Sequence, residues 1–251
     1  MAVHRWLHPP EARPDADIRL FLLHHSGGSA TAYRDWPALL PDTITCQSVQ
    51  LPGRQDRRRE EPYTRLAPLV RDLAAVLAAD LDARPYALFG HSMGALLAYR
   101  VTVELARTGL PAPVLLAVSG WSPHGFRTGD PYTGDPYVSD PLAFVARLGS
   151  LPAEIGADPR LLAETVRIMR ADGAVCADHT DDRAAATCPV VAYTGRDDPL
   201  LAPEALRAWA DRTPDYLGCR TYPGGHFYLH AHTEAVTADL AHLLLRHAGP
   251  R

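Results

Sequence analysis

The chain is 251 residues long with a formal net charge of −4 and a sequence pI of about 6.3, so nothing in its charge favours nucleic acid or an anionic membrane surface. Although 47% of the residues are hydrophobic, no apolar run approaches the roughly 20 residues needed to cross a bilayer, which argues against a transmembrane helix. A chain of this size buries a sizeable core without metals or disulfides, and α/β folds of such length are commonly one domain. The 25 basic residues are all arginine, a bias of a GC-rich genome rather than of a binding mode. Four cysteines (Cys46, Cys176, Cys188 and Cys219) lack any CxxC or zinc spacing and read as small buried thiols in a reducing compartment. Residues Met1 to Pro14 carry charges and prolines but no apolar signal-peptide core. A soluble, cytoplasmic monomer is expected.

In chain order, Ile18 to Leu23 reads as a first core strand and runs into the glycine-rich loop His24-His25-Ser26-Gly27-Gly28-Ser29. Tyr33, Trp36, Leu39 and Leu40 then fall at helical spacing over Thr31 to Leu40. Thr43 to Leu51 alternates weakly as a second strand, broken by Pro52-Gly53. The charged run that follows, with Arg57, Arg58 and Arg59 against Glu60 and Glu61, reads first as a solvated loop. Its functional alternative, with Arg54, is an electrostatic contact to an acidic partner or a phosphate. Leu66 to Leu81 is an amphipathic helix, and Tyr86 to Phe89 a buried strand. Val114 to Val118 is a further strand. Residues 122 to roughly 187 lack a core strand: a Pro-, Gly- and Asp-rich stretch precedes short helices at Leu142 to Leu148 and Leu161 to Met169, the pattern of an inserted helical lid. Cys188 to Tyr193 resumes the sheet, Pro203 to Arg212 is helical, Tyr216 to Tyr222 is a last strand, and Ala231 to Arg246 closes the chain. The alternation predicts a single α/β domain with a mostly parallel sheet and helices on both faces.

The chemistry centres on Gly90-His91-Ser92-Met93-Gly94. A strand precedes this Gly-x-Ser-x-Gly and a helix, Ala95 to Arg107, follows it, the setting of a nucleophile elbow. The turn needs glycine on both sides and lifts Ser92 clear of the sheet, while the Met93 amide at the helix start can stabilise an oxyanion. A serine hydroxyl needs a base, usually a histidine held by a carboxylate. Past the Cys188 strand stand Asp197 and Asp198, of which Asp198 is preferred as the acid. Past the last strand stands Gly224-Gly225-His226-Phe227, which makes His226 the base among twelve histidines. His230 and His232 beside His226 lack the accompanying pattern of a zinc site, so no metal is expected. His91 reads as a shape-filling neighbour of Ser92, and His25 as a candidate to order the loop after the first strand.

The sequence resembles the type II thioesterases, the free-standing editing α/β-hydrolases of polyketide and nonribosomal peptide synthesis. The matching pieces are the Gly-Gly-Ser loop at 27–29, Leu51-Pro52-Gly53-Arg54, the elbow, Met169-Arg170-Ala171-Asp172, Gly195-Arg196-Asp197-Asp198-Pro199 and Gly225-His226-Phe227-Tyr228-Leu229. The resemblance implies Ser92 as nucleophile, Asp198 as acid, His226 as base, and the amides of Ser26 and Met93 as the oxyanion hole. It implies no resident cofactor: the phosphopantetheine arrives on the partner, an acyl or peptidyl carrier protein, and the reaction frees a blocked carrier. His24 and Ser26 replace the family's usual Pro and Ala, a change that leaves a backbone N–H intact. Gly173-Ala174-Val175-Cys176 is small where the family often carries bulkier residues, which bears on the acyl chamber. A general esterase or lipase, or an acyltransferase, would use the same triad.

Overall fold

The structure, a computed structural model, describes residues 5–126, 148 and 158–249. Its centre is a seven-stranded sheet in the order β1-β3-β2-β4-β5-β6-β7. The strands are β1 (Leu7–His8), β2 (Ile18–Leu23), β3 (Ile44–Val49), β4 (Tyr86–His91), β5 (Leu115–Ser119), β6 (Val190–Gly195) and β7 (Tyr216–Tyr222). All neighbours are parallel except β1, which pairs antiparallel with β3. Parallel strands are covered on both faces, which is why β2, β4, β5 and β6 are buried along their whole length and read as nearly continuous apolar runs.

Side chains alternate across the sheet into two cores. Phe21, Leu88, Leu116 and Val190 face α1 (Leu66–Asp80) and α2 (Met93–Arg107), together with Trp121 and Trp209. Leu20, Leu22, Phe89, Ala117 and Tyr193 face the opposite way, against Tyr33, Trp36 and the closing helix. That closing segment is two pieces, α4 (Tyr228–Ala231) and α5 (Thr233–His247), after the long α3 (Pro159–Ala177). Helices therefore cover both faces, as the alternation predicted.

Some local expectations change. The segments at Ala30–Tyr33 and Trp36–Ala38 are two short 3-10 turns interrupted by Arg34 and Asp35, and Pro203–Arg212 is also 3-10. The apolar contacts there satisfy burial without the regular α-helix that the spacing suggested. The expected short helix at Leu161 to Met169 is one part of the 19-residue α3, started by the Asp158 carboxylate, which accepts the Arg160 amide at 2.8 Å. The helix expected at Leu142 to Leu148 lies outside the described residues apart from Leu148. Among the described residues no helix is long and apolar enough to cross a membrane.

The topology positions the site. The chain leaves β2 to form β3 on one side, then crosses back to place β4 on the other. The loops after β2 and β4 therefore diverge, and open a crevice at the carboxyl edge of the sheet where α/β folds bind ligands. The glycine-rich loop at 24–29 and the Gly-x-Ser-x-Gly turn are those two loops.

Candidate active site

Ser92 lies between β4 and α2 with φ of 55°, a left-handed conformation uncommon for a residue with a side chain. Its amide donates to the Ser119 carbonyl at 2.7 Å, which ties the turn to β5. Both flanking glycines are sterically required. A Cβ at Gly90 would sit 2.0 Å from the Gly94 carbonyl oxygen, and one at Gly94 would sit 2.0 Å from that of Leu23. The second contact also shows that the end of β2, and so the loop 24–29, lies directly against the turn. Met93 is the first residue of α2, where helical amides have no intrahelical acceptor.

His226 follows β7 and Asp198 follows β6. The loops are joined by backbone hydrogen bonds from Arg196 to Tyr222 O at 2.8 Å and from Asp197 to Gly224 O at 3.0 Å. Asp198 Oδ2 stands 2.8 Å from His226 Nδ1, with both side chains out of solvent at 0% and 1% exposure. The other oxygen, Oδ1, accepts the Leu200 amide at 2.9 Å. Asp197 points outward and is exposed. A carboxylate opposite Nδ1 makes that nitrogen the donor and leaves Nε2 with the lone pair. Nε2 is buried and has no hydrogen-bond partner among the described residues.

Gly120, just past β5, lies where His226 and the elbow approach each other. A Cβ there would lie 3.0 Å from His91 Cε1 and 3.1 Å from His226 Cε1, and its φ is +62°. The two imidazoles are 4.9 Å apart between centroids. His91 is held by Ser119 Oγ at 2.9 Å, and Ser119 in turn by Tyr228 OH at 2.7 Å. Burial, then the neighbouring His226, hold His91 far below the usual histidine range, so it is a neutral wall of the site. Neither Gly120 nor this chain was legible in the sequence, since a Ser-Gly after a strand is an ordinary turn ending.

In the loop after β2, His24 Nδ1 and the Gly28 amide both donate to His25 O, at 2.8 and 3.0 Å. His25 Nδ1 donates to Ser26 O at 2.9 Å, and the Gly27 amide donates to Asp172 Oδ2 at 2.8 Å. Of the consecutive amides at 26, 27 and 28, only that of Ser26 has no acceptor among the described residues. Burial lowers His25 to about 4 and His24 to about 3, the latter with help from Arg54. A cavity of about 580 Å³ opens beside this loop, with Ser26, Gly28, Met169, Phe227 and Leu229 in its wall.

The sheet order, the elbow and the order Ser, Asp, His along the chain are those of an α/β-hydrolase. The Thioesterase domain family matches residues 18–244. The chain belongs to that family. It is 35% identical over 245 residues to the probable cadicidin biosynthesis thioesterase of Streptomyces griseus, which covers 96% of this chain and 66% of that relative. Among solved structures it is similar to the type II thioesterase BorB from the borrelidin biosynthetic cluster, at 34% identity and a TM-score of 0.79, covering 95% of this chain and 96% of that one. The RedJ thioesterase from the prodiginine pathway of Streptomyces coelicolor gives 34% identity and a TM-score of 0.80, covering 91% and 86%.

Within this thioesterase fold, one expectation about charge is overturned. Arg54 and Arg57, in a run read first as a solvated loop and alternatively as a contact to an acidic partner or a phosphate, are each only 4% exposed. Arg57 stacks over the Trp6 ring at 4.1 Å and donates to Gln50 O and Glu60, while Arg54 pairs with Asp172. Both side chains turn inward because Trp6 and Gln50 for Arg57, and Asp172 on α3 for Arg54, supply buried partners. Arg58 and Arg59 remain exposed.

Proposed function

We propose that this protein is a serine thioesterase that hydrolyses acyl groups from the phosphopantetheine arm of an acyl or peptidyl carrier protein. The observation that carries it is the buried Asp198–His226 pair at the elbow of Ser92, in a chain whose relatives are named as thioesterases of biosynthetic pathways. In this reading Ser92 Oγ attacks the thioester carbonyl while His226 Nε2 takes its proton. Asp198 keeps the imidazole in the required tautomer and stabilises the imidazolium that forms. The amides of Ser26 and Met93 receive the charge that develops on the carbonyl oxygen. Each such donor is worth roughly 10²–10³ in kcat.

Collapse of the tetrahedral intermediate breaks the C–S bond, and His226 returns its proton to the departing thiolate, so that the carrier leaves as a free thiol. Water then attacks the acyl-Ser92 ester. His226 takes a proton from that water and gives it to Ser92 Oγ, releasing the carboxylic acid. Of the lid expected at 122 to 187, residues 127–147 and 149–157 lie outside the described residues; in this reading the small stretch Gly173 to Cys176 shapes the acyl chamber.

The test is acylation of Ser92 by carriers that bear different acyl groups, read by intact mass, with Ser92→Ala as the control. A mass increase of one acyl group, absent in Ser92→Ala and followed by release, is the expected result. Turnover of small ester surrogates with acyl-carrier thioesters left intact would instead indicate a general esterase.

A further inference from the structure

Three distant parts of the chain converge on one buried carboxylate. Asp172, on α3, accepts Arg54 Nη2 on Oδ1 at 2.8 Å and Arg54 Nη1 on Oδ2 at 2.8 Å. The same Oδ2 accepts the Gly27 amide at 2.8 Å. Arg54 Nη1 also donates to Gly28 O at 3.1 Å, and Nε to Pro52 O at 3.3 Å. The arginine backbone is held in its turn. Gln50 Nε2 donates to Arg54 O at 3.1 Å, and Gln50 Oε1 accepts the Ala30 amide at 2.8 Å. The pair is essentially dry, with side-chain exposures of 4% and 3%.

We infer that Arg54 and Asp172 are positioning residues that set the direction of the Ser26 amide and tie it to the placement of α3. The peptide between Ser26 and Gly27 is pinned at its N–H by Asp172, and the Gly28 carbonyl by Arg54. The carbonyl of Ser26 is taken by His25 and that of His25 by the Gly28 amide. With those neighbours fixed, the Ser26 N–H is the one of the three consecutive amides 26–28 left without an acceptor among the described residues. A bidentate guanidinium–carboxylate pair defines a plane as well as a distance, so it holds the loop against rotation where a single contact would not. A buried pair of this kind adds little stability over a packed apolar pair, which leaves geometric specification as its benefit. It also means that a shift of α3 moves the Ser26 amide: the helix that borders the cavity beside this loop through Met169 carries the carboxylate one turn further on.

The inference rests on the proposed role of Ser26, and its test separates the two. Asp172→Asn keeps the shape but offers one acceptor oxygen in place of two, so its NH2 group faces Arg54 in either orientation, and the Gly27 amide as well in one of them. Arg54→Lys keeps the buried charge and loses the bidentate plane and the hold on Gly28. The measurements are kcat and KM on a small acyl thioester, counted per Ser92 titrated by acyl-enzyme mass, and the affinity of a boronic acid whose tetrahedral adduct places an oxygen in the oxyanion hole. Both variants are expected to lose roughly 10- to 100-fold in kcat with KM within about twofold, short of the loss on deleting a donor outright. Boronate affinity should fall in parallel. If kcat per titrated site and boronate affinity stay at the parent values in whichever variant folds, whatever happens to the melting temperature, the pair is merely structural and the inference fails. Retained hydrolysis in Ser92→Ala would instead overturn the reading of the site itself.

Discussion

Replacing Asp198 by asparagine tests the site at a single atom. The carboxylate serves two donors, the Leu200 amide on Oδ1 and His226 Nδ1 on Oδ2, and its side chain is fully out of solvent, so no bulk water can take over either role. Leu200 N–H can only donate, so the amide oxygen of Asn stays there and the NH2 turns toward His226. That group donates as well, which forces Nδ1 to be the acceptor and moves the imidazole proton to Nε2, where it blocks the base. Flipping the amide restores the tautomer but sets two donors face to face in a buried place, at about 1–3 kcal/mol. At 1.36 kcal/mol per tenfold the flipped form is about 5- to 150-fold scarcer, and it still lacks the charge that stabilises the imidazolium. We expect kcat to fall by about 10³-fold, between that floor and the roughly 10⁴-fold cost of a fully wrong tautomer. Asp197→Asn should stay within about twofold. The assay is single-turnover thioester hydrolysis per titrated Ser92. An Asp198→Asn enzyme within threefold of the parent, or an equal loss in Asp197→Asn, would refute the assignment.

Further outcomes follow from the same geometry. Gly94→Ala should lower the melting temperature by about 10 °C or misfold, because its Cβ meets the Leu23 and His24 carbonyl oxygens at 2.0 and 2.8 Å, and neither strand end can yield; a shift under 2 °C would count against the turn as described. His24 and His91 are buried and held below their unfolded value of about 6.5, so the unfolded chain binds more protons below that pH. Their contribution to stability is complete above pH 6.5 and is lost as the pH falls, by about 1.4 kcal/mol per unit for each. Urea midpoints at pH 7.5, 6 and 5 would show it, and a flat series would exclude it. Arg57→Ala should cost about 1–3 kcal/mol of stability, through the lost Trp6 stacking and Glu60 and Gln50 contacts, with kcat unchanged. Reversing the exposed Arg58 and Arg59 to Glu should spare stability and raise KM for an acyl-carrier thioester, more at low salt, while a small thioester is unaffected. Equal effects on both substrates would rule out steering.

Much of this molecule is local enough to be read in one dimension. β2 and β7 fall at their expected bounds because a strand buried on both faces, or ended by Pro and Gly, is written in contiguous residues. The elbow was legible for a related reason: its steric demand lies within five residues, so Gly90 and Gly94 mark it. Ser92 and His226 could be named as candidates because turn chemistry and chain order single them out. Asp198 and Asp197 are adjacent and chemically equal in sequence, and only the path of the loop turned one inward and the other to solvent. β1 has two residues and exists only because Leu7 finds Val49 on β3. The charged run after β3 looked like surface because charge ordinarily stays in water. Arg54 and Arg57 are buried because a carboxylate 118 residues away and a tryptophan near the start of the chain complete them. Local propensity and steric need thus determined the strands, the turn and the chain order of the candidate site residues. Long-range pairing, which no window of sequence contains, decided which aspartate holds the histidine and which arginine holds the loop after β2.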